Sequence, residues 1–323
     1  MRRRALLPCT LPLVLPGLAA PARALQCVVP AKPGGGFDIT CRLAQLALAP
    51  APGAVAAPLL PVVHQPGGIG ALVFNEVVAG RRATSRELVA FSSGTLLMLA
   101  QGRMGRHPVD AVRWLAALAQ DHGVIAVHRD APWQRLPELL QALAANPAAV
   151  VFAGGGTLGS QDWLKSARLA RAAGVGHRAF RFVAFEGGGD ALQALRGRHV
   201  QVLAGDAAEI SEPLRQGQPL RLLAVLSERR LAGLLSQVPT AREQGVDLVW
   251  PILRGVYTSH AMAAVEADGW ANQLLAGQRQ PRYEQLLAGL SLQAQPLVGE
   301  ALAREVRSQW NGFQRDAAEF GLR

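Results

Sequence analysis

Six short runs of glycine and small polar residues carry whatever chemistry this chain performs. They are Pro33-Gly34-Gly35-Gly36, Pro66-Gly67-Gly68, Ser92-Ser93-Gly94, Gly154-Gly155-Gly156, Gly187-Gly188-Gly189 and Gly205-Asp206. Each follows a short run rich in β-branched, aliphatic or aromatic residues, and each precedes a stretch with helical periodicity. A helix that starts just after a strand leaves backbone N–H groups unpaired and points its positive end outward. Glycine lets that backbone approach a ligand closely. Several such turns facing one crevice would bind an anion without any charged side chain. A carboxylate and a phosphate fit equally well on this argument. Any single turn can equally be a tight connection and nothing more.

Other chemistries lack their residues. The chain contains no HExxH, no GxSxG and no P-loop, and its seven histidines show no metal-ligand spacing. No CxxC is present, so no zinc site is expected. Aromatic content is 5%, too low for a base-stacking surface, and the arginines are dispersed, so no nucleic-acid partner is expected. One turn has a second reading. Gly154–Gly159 matches GxGxxG between a strand and a helix, and Glu186 ends the following strand, where a dinucleotide site would hold its ribose-binding acid. An exported nucleotide-cofactor enzyme is therefore the competing reading. Glu186 stands 27 residues past Gly159, against the usual spacing of about 20.

The elements that must position these turns follow from pattern. Strands are predicted at Cys27–Ala31, Pro61–His64, Glu87–Phe91, Val124–Val127, Ala149–Ala153, Phe180–Phe185 and Val200–Ala204. Helices are predicted at Asp38–Ala49, Ala71–Ala79, Thr95–Gln101, Ser160–Ala173, Asp190–Arg196 and after Asp206. Such alternation implies an α/β fold with parallel sheets covered on both faces. Three units precede residue 120 and three follow residue 148, which reads as two similar lobes. Ala261–Leu322 is helical in period and is expected to return to the first lobe. The chain would then cross between lobes near Asp121–Val124 and near Trp250–Val256. That divides it into residues 25–123 plus 251–323 as lobe 1 and 124–250 as lobe 2. Asp38 is expected to cap the first helix.

The first 24 residues read as a cleavable export signal. Met1–Arg4 is basic, Ala5–Ala20 is apolar, and Ala22-Arg23-Ala24 fits the cleavage pattern, giving a mature start at Leu25 and a periplasmic location. The net charge is +10 over 323 residues; cleavage removes four arginines and leaves 29 Lys and Arg against 23 Asp and Glu. Half of the chain is hydrophobic, enough to bury a sizeable core. Cys27 and Cys41 would remain, either paired in an oxidising compartment or reduced and buried.

Seven segments in order carry a resemblance. They are Cys27–Asp38 continuing to Cys41-Arg42, Gln65–Ala71, Val89–Leu96, Gly154–Trp163, Phe182–Asp190, Val238–Gly245 and Trp250–Gly255. Together they resemble the tripartite tricarboxylate transporter receptors, the Bug-type or TctC-type substrate-binding proteins. The resemblance implies a two-lobed periplasmic binding protein of type II, a Venus flytrap in which each lobe is a mostly parallel sheet flanked by helices. It implies no catalysis and no cofactor. It implies a small dicarboxylate or tricarboxylate held in the interlobe cleft and delivered to a tripartite membrane permease by a monomeric receptor. A sensory binding protein without transport would look the same.

Carried over residue by residue, the binding loops are Gly34, Gly35, Gly36, Phe37 and Asp38; Ser92, Ser93, Gly94 and Thr95; Gly156, Thr157, Leu158, Gly159 and Ser160; Gly187, Gly188 and Gly189; and Asp206. Two departures bear on the ligand. Asp162 and Trp163 stand where many relatives have Asn-His, and Phe185-Glu186-Gly187 replaces an aromatic-Lys-Gly. Lys32 beside the first turn is read either as a source of positive field or as a surface residue.

Overall fold

The computed structural model describes residues 25–50, 59–82 and 86–322. The export signal expected over residues 1–24 lies outside the described residues.

The chain begins β1 (Gln26–Val29), α1 (Gly36–Ala47), β2 (Val62–His64), α2 (Ala71–Val78), β3 (Glu87–Ser92), α3 (Ser93–Ala100). A long strand, β4 (Arg113–His128), follows. Next come α4 (Leu136–Ala145), β5 (Val151–Gly155), α5 (Gln161–Ala172), β6 (Arg181–Phe185), α6 (Gly188–Arg196), β7 (Val202–Asp206), α7 (Ala207–Arg215) and β8 (Leu220–Val225). The chain closes with β9 (Pro251–Thr258), α8 (Ala264–Gly277), α9 (Pro281–Gly289), β10 (Gln293–Ala294) and α10 (Gly299–Glu319).

Each half of the sheet is built from three parallel strands. β2, β1 and β3 run parallel on one side; β7, β5 and β6 do so on the other. All six residues of β3 are buried, because helices cover both faces and no solvent-facing register remains. The strands between the halves are antiparallel, which the strand–helix alternation did not foretell. β9 pairs with β3 and with the first part of β4, while the second part of β4 pairs with β7 and β8.

β-Strands occupy both of the predicted crossing positions. β4 runs unbroken through Asp121–Val124 and β9 begins at Pro251. They are tied where they pass: the Gly123 N–H donates to the Trp250 carbonyl at 2.9 Å, and the Trp250 N–H donates to the Leu226 carbonyl at 2.7 Å. β8, β9 and the short β10 were not anticipated as strands.

The last helix serves both halves. Its Leu302 and Val306 pack among Val28, Val89 and Phe91. The chain just beyond it places Phe320 among Leu164, Phe152 and Trp163. Burying apolar side chains of this size stabilises by roughly 1.5–3 kcal/mol each, so both cores contribute to seating α10. Cys27 of β1 and Cys41 of α1 are joined by a disulfide. Asp38 does not occupy the N-cap of α1; that position is Gly35. Asp38 lies inside the first turn, where its Oδ2 accepts the Gly34 N–H at 3.1 Å and pairs with Arg42 at 3.0 Å.

Candidate functional site

A cavity of about 260 Å³ lies between the two halves of the sheet. The starts of α1, α3, α5 and α6 meet there, as strands carrying helices beyond their carboxyl ends dictate.

Of the expected binding residues, Gly34, Gly35, Gly36, Phe37, Ser92, Gly94, Gly156, Ser160, Gly187, Gly188, Gly189 and Asp206 line this cavity. Asp38, Ser93, Thr95, Thr157, Leu158 and Gly159 do not. Their polar atoms are engaged elsewhere. The Thr95 hydroxyl accepts the Ser92 N–H at 3.2 Å in a capping box, and Ser93 Oγ donates to Gln309 and accepts the Leu253 N–H. Thr157 Oγ1 accepts from Arg103 at 2.8 Å, and the Gly159 carbonyl accepts from Gln101 at 2.7 Å. Leu158 is exposed.

Capping also claims hydroxyls at the cavity wall. Ser92 Oγ accepts the Gly94 N–H, and Ser160 Oγ donates to the Gly155 carbonyl at 3.0 Å while accepting the Trp163 N–H. Backbone amides remain. Among the described residues no hydrogen bond engages the N–H groups of Phe37 and Gly189, in the first turns of α1 and α6. Phe37, Ile69 and Met98 supply an apolar wall.

The floor is charged, and the glycine turns gave no sign of it. Arg254 on β9 is fully buried and reaches the cavity. Its Nε donates to Asp121 Oδ2 at 2.9 Å, and its Nη2 donates to Asp206 Oδ2 at 2.9 Å. Its guanidinium lies directly under the first turn of α1, where a Cβ on Gly36 would overlap Nη1; only glycine fits there. Lys165 on α5, also fully buried, donates to Asp206 Oδ1 at 2.8 Å and to the Gly205 carbonyl at 2.7 Å, and pairs with Asp162 at 2.8 Å. Asp162 in turn accepts the Gly155 N–H at 2.7 Å.

Glu209 on α7 completes the group. Its Oε1 accepts the Gly36 N–H at 2.6 Å. A Cβ on Gly188 would overlap its Oε2, so the carboxyl group also sits against the start of α6.

Two cations thus stand among four carboxyl groups. Burial pushes Glu209 up to about 8, and the nearby Asp206 charge adds to the rise against the pull of Arg254. Burial likewise raises Asp162 to about 6, with Lys165 opposing. Asp206 is also driven up by burial, but Lys165 and Arg254 outweigh that and hold it below the usual carboxylate range. Asp206 therefore stays ionised and serves as the shared counter-ion of both cations.

At the mouth, Lys32 Nζ reaches across to Glu186 at 3.1 Å and Asp190 at 3.7 Å. Lys32 thus bridges the two sides of the cavity. Among the described residues no group of three His, Cys, Asp or Glu is arranged for a metal ion, and no helix is long and apolar enough to cross a membrane.

Sequence reasoning missed Arg254, Lys165, Asp121 and Glu209. The signal for Arg254 was present: a lone arginine inside the apolar run Trp250–Thr258, where a side chain buried on both faces must find a counter-ion.

The model of the tripartite tricarboxylate transporter family receptor matches residues 88–259. Protein BugT of Bordetella pertussis is 28% identical over 228 residues, 70% of this chain and 67% of that protein. A UPF0065 protein of Cupriavidus necator is 30% identical over 142 residues, which is 44% of this chain and only 41% of that relative. Two solved structures share the fold. MatC (Rpa3494) from Rhodopseudomonas palustris with bound malate superposes with a TM-score of 0.77 at 21% identity, covering 92% of this chain and 99% of the other. The periplasmic binding protein BugD superposes with a TM-score of 0.81 at 20% identity, covering 94% and 99%.

Proposed function

We propose, from the premise that this chain belongs to the tripartite tricarboxylate transporter family of receptors, that it captures a small organic acid in the cavity between the α1 and α6 starts and hands it to a tripartite membrane permease. The observation that carries this reading is the convergence of Gly34–Gly36 and Gly187–Gly189, from opposite halves of the sheet, on one cavity.

The mechanism is capture by closure. Residues 25–123 with 251–323 form one lobe and residues 124–250 the other. β4 and β9 connect them near Gly123 and Trp250. A carboxylate entering the open cleft takes hydrogen bonds from the amides of Phe37 on one side and Gly189 on the other. Such charge-assisted bonds are stronger than neutral ones, and the full set forms only when both sides are present. The ligand therefore favours the closed arrangement by its differential affinity. Lys32, Glu186 and Asp190 clasp the mouth in that arrangement. The receptor works as an exported, processed monomer starting at Leu25, performs no chemistry on its ligand and needs no cofactor.

A thermal-shift screen of the mature chain tests this. A panel of citrate, tricarballylate, succinate, malate, aspartate and aromatic acids should include at least one acid that raises the melting temperature in a concentration-dependent way. A rise with NAD and none with any acid would replace the receptor reading by the nucleotide-cofactor enzyme.

A further inference from the structure

We propose that Glu209 is the receptor's own occupant of one carboxylate seat, and that the ligand is accordingly a monocarboxylate with an apolar body. This rests on the reading of the cavity as an organic-acid site, and narrows it.

Glu209 stands where a ligand carboxylate would be expected. Its Oε1 takes the first amide of α1, from Gly36, at 2.6 Å. Its Oε2 fills the space that a side chain at Gly188 would need, at the start of α6. One carboxyl group on α7 therefore spans the two glycine turns that open on the cavity.

The floor cations are largely committed. Lys165 spends its donors on Asp162, Asp206 and the Gly205 carbonyl. Arg254 spends Nε and Nη2 on Asp121 and Asp206, which leaves only Nη1 without a hydrogen bond among the described residues. Each of these carboxylates is protein-borne. A second ligand carboxylate would enter a floor where four carboxyl groups already face two cations. It would compete with Glu209 for the Gly36 amide and be repelled by ionised Asp206. Two carboxylates forced to share a desolvated site cannot both stay ionised without cost. One carboxylate fits, because the Phe37 and Gly189 amides remain unengaged among the described residues. The Phe37, Ile69 and Met98 wall suits the rest of the molecule.

Matched pairs of acids test this by isothermal titration: butyrate against succinate, hexanoate against adipate, and benzoate against terephthalate. Each pair shares a skeleton and differs by one carboxylate. The native protein should prefer the monocarboxylate of the pair it binds by about tenfold or more, which is about 1.4 kcal/mol. Glu209→Ala, which empties the seat, should shift that ratio by about tenfold towards the diacid. Glu209→Gln keeps the shape and the acceptor for Gly36, and should keep the native preference.

A native protein that binds the diacid as tightly as its partner overturns the inference and leaves the organic-acid receptor standing. An unchanged ratio in folded Glu209→Ala also overturns it. If that variant does not fold, the native ratio alone decides. Failure of every acid together with binding of NAD defeats the receptor reading itself, and this inference with it.

Discussion

Arg254 Nη2 on β9 lies 2.9 Å from Asp206 Oδ2 at the β7–α7 junction, an ion pair with both partners buried. β9 lies between the halves and β7 belongs to the second, so this contact ties a central strand to that half beneath the cavity. Asp121 on β4 holds Nε and the same Nη2 of this guanidinium. Replacing Arg254 by methionine would leave Asp121 buried without a cation and Asp206 with Lys165 alone. A buried pair broken on one side typically costs about 3–5 kcal/mol. Urea denaturation of Arg254→Met should show a loss of that size. A loss under about 1 kcal/mol would mean that the cluster is solvated far more than its burial implies.

Glu209 gives stability a pH dependence with a definite sign. Its carboxyl group is raised from the ordinary glutamate range to about 8 in the folded protein. Between those two values the folded state holds a proton that the unfolded chain has released. Stability is therefore full below the ordinary value and falls as pH rises towards 8, by at most about 1.4 kcal/mol per pH unit for one proton. Asp162 contributes in the same direction but only up to about 6. His122, lowered to about 4 by burial, acts oppositely and only below its ordinary value. Asp121, also raised by burial against the pull of Arg254, acts in the same direction as Glu209. The difference between native protein and a Glu209 variant, and not the native slope alone, therefore reports Glu209 between pH 6.5 and 8. Denaturation series on native protein and Glu209→Gln should diverge there, with the flatter curve in the variant. Parallel curves would show that Glu209 is ionised at neutral pH.

Lys32 is exposed at the cavity mouth, so its bridge to Glu186 and Asp190 is expected to matter for encounter rather than stability. Lys32→Glu should leave the melting temperature unchanged and slow association of an anionic ligand. Stopped-flow binding at low and high salt checks this. The rate difference between the two proteins should shrink as ionic strength rises, because exposed charges are screened beyond the Debye length. A salt-independent difference would point to a packing role for Lys32 instead.

The Cys27–Cys41 disulfide closes a short loop from β1 to α1, directly before and after the first glycine turn. Chain-entropy arguments put its contribution at about 3 kcal/mol. The double variant Cys27→Ala/Cys41→Ala should unfold at correspondingly lower urea. Thiol titration of the denatured, unreduced mature protein should find neither cysteine free; two free thiols would remove the bond from the account.

Much of this architecture was open to inspection in the linear chain. The strands before each glycine turn appear within a residue or two of their expected places, as with Phe180–Phe185 against Arg181–Phe185 and Glu87–Phe91 against Glu87–Ser92. β-Branched and aromatic runs followed by glycine and then an amphipathic stretch are local signals, and local signals survive folding when the global fold agrees with them. The turns around Gly34–Gly36 and Gly187–Gly189 were legible for the same reason. The hydroxyl residues were less so. Ser93, Thr95 and Thr157 have the right chemistry for a ligand, but Thr95 is taken by a cap three residues away. Ser93 and Thr157 are taken by Gln309, Leu253 and Arg103, which are distant in sequence and brought near only by folding.

Residue order alone therefore gave away most strands and helices before and after the glycine turns, the positions of those turns and the family pattern, because each depends on neighbours a few positions apart. The folded arrangement decided the character of the cavity floor. Arg254, Asp121, Asp206, Lys165, Asp162 and Glu209 are spread over more than a hundred positions, from Asp121 to Arg254, and only the pairing of β4 with β7 and β9 gathers them. The balance of charge that such a gathering creates, and the protonation it imposes on Glu209, arise from distance and burial in three dimensions. Neither is written in the spacing of the residues.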